Sequence, residues 1–267
     1  MERYFRVFKF AMQIFGMGAK KPVLFAPLAA NVAFATPISL GCAVALGLVE
    51  SDRAAYAVLA VGVTLLYFID YFCNGVTASL IHDEVTMGSV DLERSIGRTG
   101  QVATGILTFA GISAAFDIAQ AYVSERDDLV SKILARALYA VWTTATYVVL
   151  PAMVLERLSF GQAFARSKDL ALREPTQVGI GVLGVGTVSY ALGAATFTLA
   201  YRVLGALAES APMLGGFLFF TIVNVFWALS GYLKVTYFTC FYLWARECDR
   251  EQTATPALAP APLAAVL

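Results

Sequence analysis

Charge is scarce in this chain. Asp, Glu, Lys and Arg supply 14% of its 267 residues and cancel to a net charge of zero. With no global basic field, nucleic acid is excluded as a partner. Histidine is scarcer still: His82 stands alone, so no Ser-His-Asp arrangement is supportable. No H-E-x-x-H, Walker or G-x-G-x-x-G feature sits in a suitable context. His82-Asp83-Glu84 is the one cluster with metal-ligand chemistry, and a single imidazole beside two carboxylates in a loop is too little for a site. The four cysteines, Cys42, Cys73, Cys240 and Cys248, form no C-x-x-C, and three lie in apolar runs. They read as free thiols and not as a disulfide framework. The expectation is a protein without a catalytic site, metal or cofactor.

What the chain has in excess is apolar residue. The share is 59%, and mean hydropathy is +0.71. Soluble domains run nearer half apolar and a quarter charged. The excess is concentrated in six runs, about 22–49, 54–81, 101–123, 137–155, 176–201 and 213–244. Each is long enough to cross roughly 30 Å of hydrocarbon. The fold class expected is therefore all-α, a polytopic bundle of six transmembrane helices over residues 1–251. The first run is too long for a signal peptide and is read as retained helix. The Ala/Pro-rich tail, 252–267, is expected to be disordered.

Orientation follows from Lys and Arg in the short connections. The N-terminus, the 82–100 and 156–174 stretches and the C-terminal flank carry thirteen; the opposite loops carry five. Both termini are expected in the cytoplasm.

The stretch Tyr147–Pro175 shows how the chain is organised. An apolar run stops at Glu156-Arg157, a short amphipathic basic segment follows, and Pro175 opens the next run. Ser159 and Gln162 make an S-x-x-Q capping box for a helix start. Phe160, Ala163, Phe164, Ser167 and Ala171 share one face, while Arg157, Arg166 and Lys168 can reach phosphates of anionic headgroups. Residues 84–107 repeat the order: Glu, Gly, Arg-Ser, then Gln-Val with Gly four residues after the Gln. Gly88 matches Gly161, and Arg94-Ser95 matches Arg166-Ser167. The N-terminal segment is a looser third copy, with Tyr4, Phe5, Phe8, Met12 and Phe15 on one helical face and Lys20-Lys21 at its end. The unit is elbow helix, span and return span, used three times about the membrane normal.

Pro151-Ala-Met-Val-Leu-Glu156 followed by Ala163-Phe-Ala-Arg166-Ser167 resembles a signature of a bacterial family of six-span membrane proteins of unassigned function. Tyr71-Phe72 with Asn74, the Gly88 loop and Trp142-Thr143 are also similar to that family. A similar elbow occurs in membrane domains attached to some glycerophosphodiester phosphodiesterases. The resemblance implies a six-helix bundle and no activity.

Ionisable groups at membrane depth are costly and mark sites by default. Asp70 and Lys234 both fall about ten residues above the cytoplasmic ends of parallel spans, roughly 15 Å deep at 1.5 Å per residue. Asp70, Asn74 and Thr77 form one polar stripe with Tyr67, and the matching depth pairs Asp70 with Lys234. Asp117, near the outer end of its span, is expected to be neutralised by Arg136 or Arg202. The aromatics of the last run are expected at lipid- or bundle-facing surface, with Tyr242 and Trp244 at the membrane interface. Two functions fit. One is a scaffold or accessory subunit that binds membrane lipid, a protein partner or a second copy. The other is a small transporter or channel lined by Asp70, Asn74, Thr77 and Lys234.

Overall fold

The computed structural model describes residues 2–124, 142, 146–174, 178–179, 182, 186–251 and 259–264. In chain order these form α1 (Glu2–Lys20), a 3-10 turn (Pro22–Phe25), α2 (Ala26–Leu48), α3 (Asp52–Met87), α4 (Leu92–Gly100), α5 (Ala103–Ser124), α6 (Val149–Glu156), α7 (Phe160–Arg173), α8 (Gly186–Leu207), α9 (Pro212–Glu251) and α10 (Ala261–Ala264). The architecture is all-helical. Among the described residues, four helical stretches are long and apolar enough to cross a membrane: Pro22–Leu48, Asp52–Met87, Ala103–Ala121 and Pro212–Glu251. Most of the expected span 137–155 and the opening of 176–201 lie outside the described residues. So do Arg136, Pro175, the 252–258 stretch and residues 265–267 of the tail.

Local chemistry sets the helix ends. Ser51 caps α3, its hydroxyl accepting from the Ala54 backbone N–H at 3.2 Å. Asp91 caps α4 in the same way, accepting from the Arg94 backbone N–H at 3.0 Å. At the start of α7, the backbone N–H of Ser159 donates to Gln162 Oε1 at 3.1 Å, the pairing expected of the capping box.

Helix α3 does not stop where its apolar run does. It continues through His82-Asp83-Glu84 to Met87, a stretch expected to be polar loop. The reason is tertiary: Asp83 is buried against α4, where Arg98 answers its Oδ1. The helix ends at Gly88, which takes the left-handed conformation at φ 65°. Arg157 ends α6 in the same conformation at φ 55°. These are the two positive-φ positions among the described residues, and each sits just before a capped elbow helix. Gly161, matched to Gly88 by sequence, lies instead inside the first turn of α7. A left-handed residue carrying a Cβ costs about 1–2 kcal/mol. Arg157→Gly is therefore expected to raise stability by about 1 kcal/mol, and Arg157→Val to lower it. The thermal midpoint of the monodisperse protein in mild detergent reads both changes.

Packing is uneven along the bundle. Helix α3 packs against α2, α4, α5, α6 and α9, and α9 also packs against α8, α2 and α6. Every residue from Cys73 to Ile81 of α3 is buried, and so is every residue from Val235 to Ala245 of α9. A helix buried on all faces must be wrapped by others. Here α4, α6 and α7 and the docked face of α1 do the wrapping, and this end of the molecule is called the elbow end. At the far end, α3 before Asp70 buries only Gly62, and α9 before Tyr232 buries only Gly215 and Ala228.

The aromatics of the last run divide accordingly, Phe217 and Trp227 being exposed while those nearer the elbow end are buried more deeply than the surface placing expected. Tyr232, Tyr237, Phe238, Phe241, Tyr242 and Trp244 are all core residues. Phe10 of α1 meets Tyr237 edge-on at 5.5 Å, and Tyr147 stacks on Phe238 at 4.4 Å. Part of the tail differs from expectation too. Leu263 of α10 is 0% exposed, packed with α1 and α9, so residues 259–264 are docked rather than disordered. Burying a leucine there contributes roughly 1.5–3 kcal/mol, enough to hold a short turn.

Candidate functional site

The polar seam of α3 sits just where packing tightens. Asp70 and Asn74 are each 7% exposed and Thr77 is 2% exposed. Asn31, one helix away on α2, donates its amide to Asp70 Oδ1 at 2.7 Å. Asn74, one turn on, donates to Oδ2 at 3.1 Å. Both carboxylate oxygens are thus held by neutral amides. Thr77 bonds within its own helix, its hydroxyl donating to the Cys73 carbonyl at 3.0 Å. Threonine makes this bond readily in a helix, so it offers little to a ligand.

Lys234 is near enough to act on Asp70 electrostatically. A direct Asp70–Lys234 bond is not among the ion pairs of the described residues. The matching depth read from sequence brings the two charges close, and the amides take the direct contacts. Sequence reasoning missed Asn31, because nothing in an apolar run says which face a lone amide presents to a neighbour.

It also missed Gly231. This residue shares a stripe of α9 with Trp227 and Lys234, at steps of four and three. A Cβ built at Gly231 would lie 3.0 Å from Asn74 Nδ2 and 3.4 Å from Asp70 Oδ1. The glycine lets the α9 backbone approach the seam. Gly231→Val is expected to destabilise by about 1–3 kcal/mol through overpacking. Gly216→Val, whose Cβ would meet Leu40 Cδ1 at an ordinary 3.5 Å, should cost less. Parallel melts of the two variants in detergent make the comparison.

A second polar line joins α3 to α5. The Tyr67 hydroxyl donates to the Asp117 carboxylate, and the Tyr71 hydroxyl donates to Ser113 Oγ at 2.9 Å. Asp117 was expected to meet Arg136 or Arg202. Arg136 lies outside the described residues, and Arg202 is exposed. Among the described residues, Tyr67 answers the carboxylate.

At the elbow end each elbow is clamped to a long helix. Lys21, after α1, donates to Glu84 at 2.5 Å and to the Gly88 carbonyl at 2.6 Å, closing the end of α3. Arg98 of α4 bridges Ser79 Oγ at 2.9 Å and Asp83 Oδ1 at 3.1 Å. His82 Nδ1 lies 2.9 Å from the same Asp83 oxygen. Arg166 of α7 donates to Asp249 of α9 at 2.8 Å, and Arg173 reaches that carboxylate at 3.4 Å. Burial pulls the Arg166 pKa down, but contacts to Asp249 and Tyr242 more than offset it, so the value ends above the ordinary one. Of the three basic residues read as headgroup contacts, Arg166 is thus committed to the fold. Arg157 and Lys168 are exposed.

Ile14, Ser95 and Ser167 are each 0% exposed, at the centre of the docked faces of α1, α4 and α7. Ser95 and Ser167 each follow an arginine, Arg94 and Arg166. No family model matches the chain, and no curated protein or solved structure matches it either.

Proposed function

We propose that this protein is a non-enzymatic scaffold or accessory subunit of a bacterial inner membrane. In this reading the chain spans the bilayer six times, has both termini in the cytoplasm and uses its elbow end to hold anionic lipid or a partner complex. The bundle is three parallel units of elbow, span and return span. Support for the units comes from Gly88 and Arg157, which end α3 and α6 in the same left-handed turn before a capped elbow. The common burial of Ile14, Ser95 and Ser167 agrees with it.

The observation that carries the scaffold reading is the location of the packing. Both central helices are buried on every face at the elbow end and largely uncovered elsewhere. Transport needs an element with two arrangements. Here the charges at that end are tied across helices by Lys21–Glu84, Arg98–Asp83 and Arg166–Asp249. A transporter or channel is the second reading, favoured by one observation. Asp70 with Asn74 and Lys234 places ionisable groups midway along the long helices.

Purification in mild detergent, with mass spectrometry of lipids and proteins retained, tests the first reading. Retained phosphatidylglycerol or a stoichiometric partner is the expected result. Ion flux through reconstituted vesicles that is lost in Asp70→Asn would overturn it in favour of the second.

A further inference from the structure

Helix α1 carries two apolar faces, not one. The face that docks is Phe10, Ala11, Ile14 and Gly18. The stripe expected to be its apolar side is largely uncovered, with Phe8 56% and Met12 57% exposed and Phe15 half-buried. Tyr4 and Phe5 lie outside the described side chains. Advancing one residue turns a helix by about 100°. From the docked centre at Ile14, that step leads to Phe15 and the face it shares with Phe8 and Met12.

The other elbows repeat this in the same rotational sense. One residue after Ser95 comes Ile96, 45% exposed. One residue after Ser167 comes Lys168, whose face includes Leu172 at 71% exposed. In α1 the polar side is completed by Gln13 and Lys20, and in α7 by Gln162 and Arg173, all exposed. Around the circumference α1 and α7 run docked, then uncovered with an exposed apolar side chain, then polar, and α4 shares the first two. A shared hand in three separate elements is not explained by packing, because these side chains touch little of the protein.

We propose that the uncovered faces of α1, α4 and α7 are immersed in the lipid leaflet that surrounds the elbow end. Phe8, Met12, Ile96 and Leu172 sit at the headgroup–acyl boundary, and Lys20 and Lys168 contact anionic headgroups. The inference rests on the membrane-scaffold reading and names its lipid-contacting residues. Two features select the leaflet as occupant. The 3-10 turn at Pro22–Phe25 joins α1 directly to a helix long and apolar enough to span, which holds α1 at membrane level. The charge flanking two of the three faces is positive, the sign that suits an anionic leaflet. The docked face pre-pays the ordering of each elbow, so insertion of two or three side chains suffices.

The test uses the full chain in vesicles of phosphatidylcholine and phosphatidylglycerol whose acyl chains are brominated at graded depths. Tryptophan is added singly as Phe8→Trp, Ile96→Trp or Leu172→Trp, with Gln13→Trp and Gln162→Trp on the polar sides as controls. The added fluorescence at the first three positions should be quenched with an apparent depth about 5–10 Å into the boundary, and that of the controls should not. Equal quenching at Phe8→Trp and Gln13→Trp, or none at the three apolar positions, overturns the proposal. The parent with Trp142→Phe and Trp244→Phe, which leaves Trp227 of the three tryptophans, provides the independent check. Trp227 lies in α9 and is 50% exposed, so its quenching by deep bromines reports the spanning helices themselves. If Trp227 is quenched and the elbows are not, the collar fails while the spans stand. If Trp227 is not quenched, the membrane reading fails first. Lys20→Gln with Lys168→Gln should reduce phosphatidylglycerol retained on purification, and unchanged retention would remove the headgroup contacts from the proposal.

Discussion

Asp70→Ala will destabilise the protein by about 3–5 kcal/mol, the cost of breaking a buried charge network by removing one partner. Two amides on two helices donate to this carboxylate, Asn31 of α2 and Asn74 of α3. Alanine leaves both donors without an acceptor, each costing about 1–3 kcal/mol if water does not replace it. It also removes the counter-charge that Lys234 senses. Asp70→Asn should be milder, because a carboxamide oxygen still accepts one of the two amides. Lys234→Met alone should cost less than Asp70→Ala, since no direct bond to the carboxylate is lost. The double variant Asp70→Ala with Lys234→Met should recover part of the Asp70→Ala loss, because no uncompensated ammonium remains. Exchanging the charges, Asp70→Lys with Lys234→Asp, should not rescue, since an ammonium cannot accept from Asn31 and Asn74. Midpoints of detergent melts followed by size-exclusion chromatography measure the whole set. An Asp70→Ala variant as stable as the parent would mean that the seam is wet.

Arg98→Met is expected to be comparably damaging, again about 3–5 kcal/mol. Its partner Asp83 is 1% exposed, and Arg98 is the group that joins it to α4. After the substitution Asp83 keeps His82 on the same oxygen, 2.9 Å away, but loses its fixed charge partner and the bridge to Ser79. Methionine retains the stem's packing, so the measured loss reports the guanidinium rather than volume. Asp83→Leu with Arg98→Met replaces the pair by apolar groups and should restore much of the stability. If the double variant is no better than Arg98→Met, the role of Arg98 lies outside the pair.

The positions at which sequence and structure part company share a cause. Periodicity identified α1 as amphipathic and singled out the Phe8, Met12 and Phe15 face, but gave no sign that Phe10 and Ile14 form a second, docked face. Hydrophobic pattern measures apolarity and not which neighbour arrives. The same limit hid Asn31 and Gly231, whose roles exist only where α2, α3 and α9 converge. It also hid the neighbours that bury Tyr242 and Trp244 in the core. Asp83 is the clearest case. In sequence it closes a polar cluster that looks like a loop, and in the fold it is a buried helical residue answered by α4.

Some features were legible for equally physical reasons. Long apolar runs with few charges predict helices in any context, because an unpaired backbone in hydrocarbon is too costly. The runs 22–49, 54–81, 101–123 and 213–244 correspond to the four helices long enough to cross. The Ser159–Gln162 cap is local and was readable from spacing alone. The polar stripe of Asp70, Asn74 and Thr77 follows from helical geometry, and all three residues are buried. Thus the sequence alone determined the helical class, the long apolar helices, the Ser159–Gln162 cap and the matching positions of Asp70 and Lys234 along their helices, because each depends on chemistry within a few turns of one chain. Only the tertiary structure decided which face of each elbow docks, which amides hold Asp70 and where α9 comes close enough to require Gly231. Those outcomes depend on segments far apart in the chain meeting at ångström distances, and no residue carries that information by itself.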